Sequence, residues 1–246
     1  MILRSIEFKE KFLTKRDKDT ILKLKFDPNV QYITGPNGYG KTTIFNLIYQ
    51  MILKDDIDQD LKDCVGAIKL ETSQGDITFD HINGLQKQLA CFPQIRYKKQ
   101  MCEGFDPNPE DVQLILGCEE LMELIGDYCE KREELLVDVN TGKLMLRNIK
   151  TGSIFPIKSA PTSLQNIIMM FLFALQTQKG DILLLEHPEE HLHIALQLEL
   201  MPKLEKICRG QMLVTTHSSQ IFQHVGFSAT KDLYMLMDRK NENNNK

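Results

Sequence analysis

The run Gly35-Pro36-Asn37-Gly38-Tyr39-Gly40-Lys41-Thr42-Thr43 constrains this chain more than any other segment. It satisfies G-x-x-x-x-G-K-[ST], the spacing of a phosphate-binding loop. The glycines let backbone N–H groups turn inward and line a concave cradle for anionic phosphates. The N-terminus of a following helix adds partial positive charge. In such a loop Lys41 reaches the β- and γ-phosphates and Thr42 offers a hydroxyl to Mg²⁺. Asn37, Gly38, Gly40 and Thr43 complete the cradle. The flanks agree. Val30 to Thr34 reads as a strand entering the loop, and Ile44 to Ile48 as an apolar helix leaving it.

The 246 residues suffice for one sizeable α/β domain or two small ones. Apolar residues make up 42% and charged residues 26%, which suits a globular chain. A formal net charge of −4 does not advertise nucleic-acid binding, although a local basic patch is compatible with it. Cys64, Cys91, Cys102, Cys118, Cys129 and Cys208 form no C-x-x-C pair and read as reduced thiols of a cytoplasmic protein. No run of about 18 apolar residues predicts a membrane span.

Along the chain, residues 1–9 and 20–26 read as short strands. An acidic stretch at Asp55–Asp63 follows the loop helix. A hairpin is expected around Thr72–Gly75, a strand at 89–97, and a helix over Glu110–Glu134 that Gly117 and Gly126 interrupt. A second β-rich run spans Leu135–Val139, Lys143–Ile149 and Ser153–Ile157. Pro161–Gln178 is a strongly apolar helix with Ser and Thr available as caps. Leu192–Cys208 is helical, interrupted or bent at Pro202. Asp232–Met237 suggests a last strand, and Asn241–Lys246 a disordered tail.

Two apolar strands carry the remaining chemistry. Ile182–Leu185 delivers Glu186 at its C-terminal end, where open α/β sheets bind ligands. An acid there holds the water shell of Mg²⁺. Met212–Thr216 delivers His217, whose ring can donate to a γ-phosphate oxygen.

With these residues in view, the sequence resembles the ABC-type ATPases. Glu186-His187-Pro188-Glu189-Glu190-His191-Leu192-His193 is similar to the E-x-P-E-x-H-L-H element of one branch, the overcoming-lysogenisation-defect (OLD) type. Leu213–Ser219 resembles that branch's switch-histidine segment. The resemblance implies a P-loop NTPase of α/β class, an ABC-like head with a mixed central sheet. One ATPase domain would span 1–240, with a small β/helical lobe at about 55–134. It implies ATP and Mg²⁺ as cofactors, with Thr42 and Glu186 on the metal. ATP would lie between two protomers of a homodimer or higher homo-oligomer. The phosphate loop of one would face the signature segment of the other, here Ser159–Asn166 with Ser163 as the γ-phosphate contact. It also implies a glutamine that senses metal and γ-phosphate, Gln94 or Gln100, and an aromatic on adenine, for which Phe12 is the candidate.

Two positions depart from the family pattern. Leu164 stands where the signature carries glycine. His187 stands where a second acid follows the Walker-B acid. A neutral imidazole can accept a proton, and Glu189 can orient water, so the change argues for slow turnover. The resemblance further suggests a separate effector, such as a nuclease, in anti-phage defence or DNA maintenance. Four other readings compete. These are a metal cluster built on His187, His191 and His193, a transporter cassette, a long-armed chromosome-maintenance ATPase, and a nucleotide-binding module without hydrolysis. The absence of an L-S-G-G-Q run counts against the transporter. The absence of a heptad run counts against the long-armed ATPase.

Overall fold

The computed structural model describes residues 2–9, 21–53, 65–72, 75–80, 95–98, 105–130, 132–225 and 230–233. Phe12, the acidic stretch at 55–63, Gln94, Gln100 and the 241–246 tail lie outside them. The chain forms two compact units, one of 1–98, 177–187 and 209–246, the other of 99–176 and 188–208.

In the first unit the strands are β1 (Ile2–Lys9), β2 (Ile21–Lys25), β3 (Val30–Thr34), β4 (Val65–Thr72), β5 (Gly75–Asp80), β6 (Ile95–Lys98), β10 (Ile182–Glu186), β11 (Gln211–Thr215) and β12 (Thr230–Asp232). Its helices are α1 (Lys41–Leu53) and α6 (Ser219–Val225). A five-stranded sheet runs β12-β3-β11-β10-β6, with every pairing parallel. A four-stranded sheet runs β2-β1-β4-β5, with every pairing antiparallel. The expected mixture of parallel and antiparallel pairing is therefore present, divided between sheets. The expected hairpin is β4–β5, with Leu70 opposite Ile77.

The parallel strands form because their residues suit burial. Ile182 to Leu185 and Met212 to Val214 are all fully buried, as continuous apolar runs in a covered parallel sheet should be. α1 buries Ile44, Phe45, Leu47 and Ile48, the i, i+1, i+3, i+4 positions of one helical face. One buried polar side chain ties the sheets together. Gln211, 2% exposed, accepts from the Leu3 N–H at 2.8 Å and donates to the carbonyls of Leu3 (2.9 Å) and Asp27 (2.8 Å). All three bonds suit a primary amide, so the buried polar group is well compensated.

The second unit holds α2 (Pro109–Leu116), α3 (Glu119–Tyr128), β7 (Glu133–Val137), β8 (Leu144–Asn148), β9 (Ile154–Pro156), α4 (Thr162–Leu175) and α5 (Ile194–Ile207). Asn108 caps α2 by accepting the Asp111 N–H at 2.9 Å, and Pro109 opens the helix. Gly117 ends α2, whereas Gly126 sits inside α3. The helix expected over 110–134 is thus broken once, and its last residues are strand β7. β7-β8-β9 is an antiparallel meander, as the second β-rich run predicts. α5 runs through Pro202 without interruption. α4 is apolar almost all round and buries Leu164 to Leu172 without a gap, which is the pattern of an enclosed helix. The stretch 55–134 is shared out, with β4, β5 and β6 in the first unit and α2 and α3 in the second.

Among the described cysteines, Cys118 and Cys129 are buried and Cys208 is partly exposed; none is in a disulfide. Burial, with the Glu133 carboxylate adding to it, pushes the Cys129 thiol up to about 12. It is a packing group rather than a nucleophile.

The turn into β11 is closely packed. A Cβ on Gly210 would lie 2.6 Å from the Asp181 carbonyl oxygen, and that oxygen also accepts the Gln211 N–H at 2.9 Å. Gly210→Ala should therefore lower stability by about 1–3 kcal/mol through overpacking. Urea unfolding that matches the parent chain would show that the turn relaxes freely.

Candidate functional site

Strand β3 enters the glycine-rich loop and α1 leaves it. Positive φ at Gly35 (145°), Gly38 (80°) and Gly40 (79°) bends the backbone into the loop, conformations that glycine reaches without steric penalty. The Tyr39 N–H meets the Pro36 carbonyl at 3.4 Å, and α1 starts with the Ile44 N–H on the Gly40 carbonyl at 2.9 Å. The first N–H groups of α1 thus adjoin the loop, the arrangement that binds anions at helix N-termini.

Lys41 opens the helix and is 4% exposed. Its Nζ donates to the carbonyls of Gly35 (2.7 Å) and Pro36 (3.1 Å). The loop's own backbone therefore holds the cation against the loop. Asn37 and Gly38 are exposed at the tip, and Thr43 is half-buried behind it.

Thr42 Oγ1 donates to Glu186 Oε1. Glu186 ends β10 and is 2% exposed. Register makes this contact possible, since β10 lies beside β11, and β11 beside β3, which leads into the loop. A carboxylate this buried requires hydrogen bonds or a cation. An anionic carboxylate touching a hydroxyl is a hard-oxygen donor set, and it fits Mg²⁺, which binds through one or two carboxylates plus phosphate oxygens.

His187 follows Glu186 with φ 46°, a left-handed backbone that is uncommon outside glycine. Its N–H donates to the Thr215 carbonyl at 3.0 Å, which fixes the conformation. The His187 ring is 8% exposed and stacks on that of His217, with centroids 4.6 Å apart and planes within 9°. His217 is exposed, in the turn between β11 and α6. That turn is ordered by the Thr216 N–H on the Ile33 carbonyl (3.3 Å) and the Ser218 N–H on Thr216 Oγ1 (2.9 Å). The first unit thus brings the phosphate loop, Lys41, Thr42 and Glu186 together, and joins His187 to His217.

Glu189 and Ser163 belong to the second unit. Glu189 lies in the turn before α5, where its carbonyl accepts from the Leu192 N–H (3.1 Å) and the Gln197 side chain (3.4 Å). His193 caps α5, its Nδ1 accepting the Ala195 N–H at 3.4 Å. Among the described residues no group of three or more His, Cys, Asp or Glu converges on a metal position.

Ser163 lies in the first turn of α4, and its hydroxyl is hydrogen-bonded to the Tyr128 hydroxyl. Expected caps on α4 are not what the structure shows. Pro161 occupies the N-cap with no side-chain cap bond. The Ser163 hydroxyl bonds Tyr128 instead, and Gln165 ties the entry by donating to the carbonyls of Lys158 (3.1 Å) and Ala160 (2.7 Å). Leu164 is fully buried. Tyr128 belongs to no motif, and Gln165 lies within Ser159–Asn166 without a role assigned from sequence; the folded contacts reveal both.

The chain matches the protein family described as an AAA ATPase domain over residues 53–222. That span contains Glu186, His187 and His217 and starts after the phosphate loop. Among solved structures, the chain resembles the crystal structure of the SmcHead bound to the C-winged helix domain of ScpA. The TM-score is 0.58 and the identity 11%, covering 91% of this chain and 92% of that one. The SMC head domain from Thermotoga maritima is 14% identical over 91% of this chain and 92% of its own, with a TM-score of 0.48. At such identity the likeness to the SmcHead is one of fold. No curated protein sequence matches the chain.

The Thr42–Glu186 contact makes a prediction about the ligand-free protein. Thr42→Val deprives a buried carboxylate of a donor and should lower stability by about 1–3 kcal/mol, while Thr42→Ser stays near the parent. Equal denaturation midpoints for all three chains would remove the contact from the account.

Proposed function

This chain belongs to the AAA ATPase domain family, and we propose that it is a Mg²⁺-dependent ATP-binding subunit that hydrolyses ATP slowly. The observation that carries this reading is the Thr42 hydroxyl on the buried Glu186 carboxylate, beside the glycine-rich loop. The loop N–H groups and the start of α1 cradle the phosphates. Lys41 leaves the loop carbonyls for the β- and γ-phosphates, exchanging neutral acceptors for anionic ones. Thr42 and Glu186 hold Mg²⁺, which when bound neutralises charge developing on the phosphates.

Hydrolysis needs a group to position water. His187 occupies the site of the family's second acid, and its stack with His217 joins it to the residue expected near the γ-phosphate. Glu189 is the alternative water-positioning group. Neither replaces a well-placed glutamate, and one altered group slows phosphoryl transfer strongly. His187 also favours a second reading, a regulatory module that binds ATP without cleaving it.

Two chains dimerise around ATP in this proposal, with Ser163 of each contacting the other's γ-phosphate and Gln94 sensing metal and phosphate from outside the described residues. The dimer controls a separate effector, in keeping with the OLD-like E-x-P-E-x-H-L-H element. A nuclease working in anti-phage defence or DNA maintenance in the cytoplasm is the effector that element suggests. The likeness to a head bound to a winged-helix domain supports a protein partner. No described helix is long and apolar enough to cross a membrane.

Lys41→Ala should abolish measurable ATP binding while the chain still folds, because the Gly35 and Pro36 carbonyls it holds lie in the loop and not in the core. Unchanged nucleotide affinity would remove the central claim. Light scattering should show the parent chain doubling in mass with Mg²⁺-ATP. Phosphate release separates slow hydrolysis from binding alone, and His187→Glu should raise kcat without tightening ATP binding.

A further inference from the structure

One buried polar atom beside the candidate metal position has no role in holding the fold. Thr215 ends β11 and is fully buried. Its Oγ1 has no hydrogen-bond partner among the described residues, although its carbonyl accepts the His187 N–H. The residues before it, Met212, Leu213 and Val214, are apolar and equally buried. Valine has the same shape and would fill the position without stranding a hydroxyl. A stranded hydroxyl is unfavourable and calls for an explanation.

The register supplies one. Thr215 stands directly beside Glu186 in the parallel pairing of β10 and β11. Side chains of register partners leave the same face of a sheet. On that face Glu186 meets Thr42. Thr34 Oγ1 is also without a partner among the described residues, but Ile33 is the register partner of Thr215, so Thr34 leaves the opposite face. Of the two stranded strand-end hydroxyls, only that of Thr215 shares the face of the Thr42–Glu186 pair.

We propose that Thr215 is a positioning residue for the metal–nucleotide complex, its hydroxyl accepting a hydrogen bond from a water of the Mg²⁺ shell held by Glu186 and Thr42. Mg²⁺ gives up its waters reluctantly and keeps several when protein-bound. Adjacent strands lie about 4.8 Å apart, so the side chains of Thr215 and Glu186 start as neighbours on one face. A threonine hydroxyl has acceptor lone pairs to offer such a water. The same residue's carbonyl fixes His187, so Thr215 couples the cation's shell to the position after the acid. The inference rests on the Mg²⁺-ATP reading of the loop.

The test titrates ATP into the parent chain, Thr215→Val, Thr215→Ala and Thr215→Ser, with Mg²⁺ and with EDTA, and reads affinity rather than turnover. Both variants without the hydroxyl should keep the metal-free affinity and lose about tenfold or more of the gain that Mg²⁺ confers, the usual effect of removing an outer-shell partner. Thr215→Ser should restore the gain. Thermal unfolding without nucleotide should find Thr215→Val at least as stable as the parent. A full Mg²⁺ gain in Thr215→Val and Thr215→Ala overturns this inference and leaves the nucleotide reading intact. A parent chain that binds no ATP overturns both.

Discussion

A parallel sheet buried along its strands leaves polar chemistry only the strand ends. In β10 and β11 every residue is buried, and the interior positions are apolar. Polar groups collect where those strands stop, at Glu186, Thr215 and Thr216, alongside the loop that follows β3. This is the edge at which open α/β sheets bind ligands. The Thr42–Glu186 contact follows from that constraint, because the loop helix α1 starts at the edge where β10 ends. The candidate site is a consequence of how the sheet is ordered, not an addition to it.

Much of this was legible in the amino-acid sequence, for identifiable reasons. The phosphate loop is local, so its spacing alone exposes it. β10 and β11 are continuous apolar runs ended by polar residues, which few other elements imitate. Gly117 marks a helix end because a glycine there separates two amphipathic segments. Pro202 does not interrupt its helix: a proline removes one N–H and crowds one carbonyl, yet α5 continues through it. What stayed hidden was pairwise. The stack of His187 on His217, the Tyr128–Ser163 bond and the place of Thr215 beside Glu186 all depend on register or on contacts between distant segments, which no local pattern encodes.

Leu164 and His187, the two positions at which the sequence departs from the pattern it resembles, look different once folded. Leu164 is a core residue of α4, and the entry to that helix is fixed by Gln165 on the carbonyls of Lys158 and Ala160. His187 is held in an unusual backbone conformation by the Thr215 carbonyl and by its stack. Strained backbone that is fixed by its surroundings is a common mark of functional positions. One substitution therefore serves the interior of the second unit, and the other sits among the groups that would meet phosphate.

Gln211 bears on how such a chain comes into being. Its amide grips Leu3, 208 positions earlier, and β11 separates β3 from β10 in the sheet. During synthesis the phosphate loop emerges well before the strand that seats its sheet. Until then β3 and β10 lack the neighbour that lies between them, and their edges are open to wrong pairings. Contacts this distant close slowly. A nascent chain thus carries a complete loop motif long before it carries a place to bind nucleotide, and nucleotide can select only those copies in which β1 and β11 have met.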